Sequence, residues 1–108
     1  MSDSAAPVLT PETREEKEIK RLPPYHVIIH NDDHHSMEFV IEVLTKVFGY
    51  KLEESFTLMM RAHEEGKSVV WTGAKEVAEL KAEQITSFHE KREGADLGPL
   101  GVSLEPAA

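Results

Sequence analysis

The run Tyr25-His26-Val27-Ile28-Ile29-His30 constrains the fold most, because it is short, β-branched and walled by Pro23-Pro24 on one side and Asn31-Asp32-Asp33 on the other. Prolines cannot continue a hydrogen-bonded ladder and Asn-Asp-Asp favours a turn, so the run reads as a buried strand. A helix must follow almost at once. Ser36 stands where a cap is needed, Glu38 falls in the first turn near the positive dipole end, and Phe39, Val40, Val43, Leu44 and Val47 form an i, i+3/i+4 stripe that stops at Gly49. The residues between strand and helix, Asn31 to Ser36, therefore sit at the seam of two packed elements.

The rest of the chain follows the same punctuation. A second helix starts at about Glu53, presents Phe56, Met59, Met60 and His63, and meets its stop at Gly66. The apolar faces of the two helices are expected to pack together. Ser68 to Thr72 reads as strand, Ala74 to about Lys91 as a third helix with Val77, Ile85 and Phe88 near one face, and Gly94 to Pro99 as a turn-rich linker. Gly101 to Leu104 makes a last strand. The order β-α-α-β-α-β predicts an α+β fold, a three-stranded antiparallel sheet packed against three helices on one side.

At 108 residues the chain fits one domain. Residues 1–24 carry small, polar and charged side chains with four prolines (Pro7, Pro11, Pro23, Pro24), too little apolar surface to offset the entropy of ordering. They are expected to form a flexible N-terminal extension, in which Glu12 to Arg21 makes at most a transient charged helix, ahead of a core domain over 25–108. Asp and Glu total 20 against 12 Lys and Arg, a net charge of −8, which opposes a nucleic-acid partner. No cysteine is present, so disulfides, thiolate metal sites and a Cys nucleophile are excluded. Neither a secretory signal pattern nor an apolar run of ~20 residues is found, so no membrane contact is expected and the cytoplasm is the expected location.

Asn31-Asp32-Asp33, then Met37-Glu38-Phe39-Val40, then Met59-Met60-Arg61-Ala62-His63 before Gly66-Lys67 resembles the ClpS family, small adaptors that hold the first residue of a protein destined for degradation. The resemblance runs from about Tyr25 to Leu104. A free α-ammonium group is a compact cation with three donors and needs converging acceptors. Asn31 offers an amide oxygen, Asp33 a carboxylate and a neutral His63 a ring nitrogen. The resemblance implies that these three bind the α-amine, with Asp32 close by. It also implies an apolar hole for the first side chain, lined by Met37, Val40, Met59, Ala62 and Leu100, with His35 at its edge. Adaptable thioethers suit guests such as Leu, Phe, Tyr and Trp. On the same grounds Glu76 and Lys81 are expected to contact an AAA+ unfoldase, ClpA or ClpC, and the chain to act as a monomer without a cofactor.

Several positions depart from the family pattern. Ser36 replaces a usual Pro, which removes a fixed φ and predicts a looser loop. His30 and His35 stand where an apolar residue and a Thr are common, Ala62 replaces a larger residue, often Val, and Gly98-Pro99-Leu100 ends a longer linker than usual. Two other classes compete. His30, His34 and His35 with the two aspartates make an N/O cluster that suits zinc, although adjacent histidines seldom face one ion. Asp33 and His63 resemble an acid/base pair, but no nucleophile elbow or glycine-rich phosphate loop accompanies them, so no enzyme is expected.

Overall fold

The computed structural model describes residues 22–107. The expected extension therefore lies, for residues 1–21, outside the described part. The elements are β1 (Tyr25–His30), α1 (Met37–Phe48), α2 (Leu52–Glu65), β2 (Lys67–Gly73), α3 (Lys75–Thr86), β3 (Lys91–Arg92), β4 (Ala95–Asp96) and β5 (Gly101–Pro106). Val27, Ile28 and Ile29 of β1 are 0%, 1% and 2% exposed, and a strand buried on both faces belongs in the middle of a sheet. The sheet order is β2-β1-β5, antiparallel throughout, as the element order predicts. His30 pairs with Lys67 on one side and Gly101 on the other, so the end of β1 opens onto the loop that precedes α1.

Local chemistry sets the helix ends. The Ser36 side-chain oxygen accepts from the Phe39 N–H at 3.1 Å, and Gly49 closes α1 with a φ of 74° that a residue bearing a Cβ adopts at a cost. Gly66 ends α2 in the same way, at φ 92°. Phe39, Val43, Leu44 and Val47 of α1 join Val27, Ile29, Val70, Ala62, Ala78, Ile85 and Leu100 in one core. Full burial of a side chain the size of Leu44 contributes on the order of 2 kcal/mol.

Three expectations are corrected. On α2 the buried face is Ser55, Met59 and Ala62, whereas Phe56 is 49% exposed, because small side chains let the helix approach its neighbours. On α3 Ile85 is buried as expected, but its partner on the inner face is Ala78, and Val77 faces out, so the smaller of the two neighbours is again turned inward. The same helix stops at Thr86 rather than near Lys91. Phe88 turns back onto the core, Glu90 becomes buried, and Lys91 to Asp96 form a hairpin with Lys91 opposite Asp96 and Arg92 opposite Ala95. Its turn residues, Glu93 at φ 52° and Gly94 at φ 81°, both have the positive φ of a type I′ turn. Among the described residues no helix is long and apolar enough to cross a membrane.

Candidate functional site

The loop between β1 and α1 is held at three places. Its first residue, Asn31, donates its N–H to the Gly66 carbonyl at 2.9 Å, which draws the loop to the C-terminal end of α2 where His63 sits. In the middle, Asp32 Oδ1 accepts the N–H groups of His34 and His35 at 3.0 and 2.8 Å. At the end, the buried Glu90 carboxylate accepts the Ser36 N–H at 2.9 Å and the Ser36 hydroxyl at 2.6 Å, with Arg92 Nε 3.3 Å away. Arg92 also donates to the His34 carbonyl. The looser loop expected from a Ser in place of Pro is therefore not found, because Ser36 supplies an N–H and an O–H that proline lacks.

His35 is the most enclosed of the loop's imidazoles. Its ring is stacked on Phe39 with centroids 5.4 Å apart. Nδ1 lies 2.6 Å from Asp32 Oδ2 and Nε2 lies 2.8 Å from the Gly98 carbonyl. Both partners are acceptors, so a ring protonated on both nitrogens satisfies both bonds. Burial alone pulls the His35 pKa down, but the Asp32 and Gly98 hydrogen bonds and the nearby carboxylates together raise it above the ordinary value. Burial likewise pushes Asp32 and Glu90 up, and their hydrogen bonds from His35 and Ser36 more than reverse this, leaving both below the usual carboxylate range.

One cavity of about 200 Å³ lies against this loop. The residues anticipated for an amine, Asn31, Asp32, Asp33 and His63, all line it. So do those anticipated for an apolar hole: His35, Met37, Val40, Met59, Ala62 and Leu100. Met59, Ala62 and Leu100 are buried and Met37 is 44% exposed, so apolar wall continues from the core to the mouth. Leu100, on an extended linker, reaches the cavity because the hairpin folds back: Leu97 N–H donates to the Glu90 carbonyl at 2.7 Å and Glu90 N–H to the Gly98 carbonyl at 3.2 Å. Ile29 and His30 complete the lining. Asp32 uses its carboxylate within the loop, whereas Asp33 is exposed.

Sequence reasoning missed Glu90, Arg92 and the Gly98 carbonyl as supports of the site. The departure from Pro at residue 36 was the signal, since a new donor pair near a pocket calls for a buried acceptor. The histidine cluster is also redrawn. His30 Nε2 is 2.6 Å from Ser103 Oγ, and the potential ligand atoms that gather within 4.8 Å of one another belong to Asp32, His34 and His35. Of the two residues anticipated for a partner contact, Glu76 is exposed in the first turn of α3. Lys81 is half-buried, its Nζ donating to the Val47 carbonyl at 3.0 Å above the Phe48 ring.

Comparison with known proteins places this geometry. The chain is similar to the ATP-dependent Clp protease adapter protein ClpS of Vibrio cholerae, 38% identical over 94 residues that cover 87% of this chain and 85% of that one. It is likewise 38% identical over 97 residues to the ClpS of Pectobacterium carotovorum, covering 88% of each. Among solved structures, Agrobacterium tumefaciens ClpS2 bound to L-phenylalaninamide superposes with a TM-score of 0.70 at 34% identity, over 80% of this chain and 99% of that one. The family model described as ATP-dependent Clp protease adaptor protein ClpS matches residues 20–103. This chain belongs to the ClpS family of Clp protease adaptors.

Proposed function

We propose that the cavity seats the first residue of a polypeptide, its free α-amine against Asn31, Asp33 and His63 and its side chain against Met37, Val40, Met59, Ala62 and Leu100. The observation that carries this reading is that acceptors and apolar wall share one small cavity. A first residue is the place in a polypeptide where a cationic amine and a side chain leave the same carbon. L-phenylalaninamide, the molecule bound to the Agrobacterium relative, has that pair of groups. Leu, Phe, Tyr and Trp are the guests that match an apolar hole with a thioether wall. Asp32 acts by shaping the loop, and His35 by bracing it against Gly98.

Bound chains are then delivered to an AAA+ unfoldase of the Clp protease, ClpA or ClpC, by a monomeric adaptor acting in the cytoplasm, with no bond made or broken by this chain. Glu76 and Lys81 stand on the helix proposed to meet the unfoldase, and residues 1–24 are proposed to engage it. The test is a pair of labelled Leu-first peptides, one with a free amine and one acetylated, titrated by fluorescence anisotropy. Acetylation removes a charge-assisted contact and leaves desolvated acceptors, a loss on the order of 2–5 kcal/mol, or at least about thirtyfold in affinity. Equal affinity for both peptides would overturn the assignment of the amine seat.

A further inference from the structure

We infer that Asp32, His34 and His35 form a binding site for a first-row transition-metal dication such as Zn²⁺ or Ni²⁺. His35 Nε2 donates to the Gly98 carbonyl at 2.8 Å, the outer bond that fixes the tautomer of a ligating histidine and leaves Nδ1 for the metal. That Nδ1 lies 2.6 Å from Asp32 Oδ2, and His34 Nδ1 lies 3.6 Å from Asp32 Oδ1. The two imidazole rings stand with centroids 4.4 Å apart and planes tilted by 41°.

Metal bonds of about 2.0–2.1 Å at tetrahedral angles separate neighbouring ligand atoms by about 3.3 Å. The His35 Nδ1–Asp32 Oδ2 pair must therefore open by about 0.7 Å, and His34, which lies nearer the other carboxylate oxygen, must turn in so that the three ligand atoms, already within 4.8 Å of one another, close to that spacing. The ion takes the place of the proton between His35 and Asp32, and that proton leaves to solvent. Two imidazoles and one carboxylate suit zinc, nickel or copper rather than calcium or magnesium. The positive end of α1 opposes a cation with roughly half a charge, which Asp32, Asp33 and the first-turn Glu38 outweigh. His34, with a side chain 57% exposed, leaves the site open to solvent. Asp32 and His35 also line the cavity, so a bound dication works against a cationic guest there; that consequence, unlike the site, rests on the function proposed above.

Isothermal titration of the full chain with ZnCl₂ and with NiCl₂ tests the site. Wild type should bind one equivalent, and His34→Ala, at an exposed position, should weaken it at least tenfold. His89→Ala breaks a second His/Asp pair, with Asp96, that has no third ligand beside it among the described residues, and should leave the affinity unchanged. Addition of Ni²⁺ should broaden the amide signals of residues 32–35 in nitrogen-15 spectra of wild type and spare them in His34→Ala. Wild-type affinity in His34→Ala, an equal loss in His89→Ala, or no metal uptake by wild type would each overturn the site. These readouts contain no peptide, so the fate of the amine seat is decided separately.

Discussion

Replacing Glu90 by Gln removes one negative charge and keeps the shape, which isolates what the buried carboxylate does for the binding loop. Its side chain is 8% exposed and accepts two hydrogen bonds from Ser36 beside the Arg92 guanidinium. An amide keeps one acceptor for the Ser36 N–H. Its NH₂ then faces the Ser36 hydroxyl proton and Arg92 Nε, donor against donor, so both lose the acceptor they share, while Arg92 keeps only its bond to the His34 carbonyl. Exchanging a charge-assisted pair for one neutral bond, with a polar group left unsatisfied, costs about 2 kcal/mol. In a domain of this size that lowers Tm by about 8–16 °C. The sign with pH follows from the carboxyl's depressed pKa: its stabilisation is present above the unfolded value near 4.5 and is lost as pH falls through the lower folded value. Thermal unfolding by circular dichroism at pH 7 and at several values down to pH 3 should show the two proteins converging towards acid, with Asp32 supplying the acid loss that remains in Glu90→Gln. A Tm within about 2 °C of wild type at pH 7, or a gap that widens towards acid, would refute the reasoning.

Other perturbations reach different parts of the molecule. Among the described residues the Ser55 hydroxyl in α2 is buried without a hydrogen-bond partner, so Ser55→Ala should stabilise the protein by up to about 1 kcal/mol in urea unfolding, since it removes an unsatisfied group and improves helix propensity. Met37 lines the cavity from the start of α1, and a guest seated as proposed and branched at Cβ would press on it; Leu should then be preferred over Ile by roughly tenfold to a hundredfold in peptide titrations, and Met37→Ala should raise Ile affinity more than Leu affinity. Removing residues 1–21, which keeps the Pro24 carbonyl that accepts from Ala107, should leave peptide affinity within about twofold while abolishing assisted degradation in a reconstituted protease assay.

Much of this protein is legible without coordinates, for a local reason. Tyr25 to His30 declares a buried strand by its own composition and its flanking prolines and Asn-Asp-Asp, and Ser36, Gly49 and Gly66 announce helix ends through capping chemistry that operates within a few residues. The cavity residues were legible because the spacing of Asn31 to Asp33, Met37 and His63 resembles that of the ClpS family, and the resemblance carried the rest of the lining over position by position. Tertiary structure alone decided how those elements rotate against one another. Whether Val77 or Ala78 faces inward, or Phe56 or Ser55, depends on how closely a helix approaches its neighbours, and periodicity permits either. It alone decided, too, that Lys91 to Asp96 folds back as a hairpin and carries Glu90 and Gly98 to Ser36 and His35, residues 54 and 63 positions away along the chain. Hydrogen bonds of that span leave no periodic trace, because each is specified by a single acceptor meeting a single donor after the chain has closed around both.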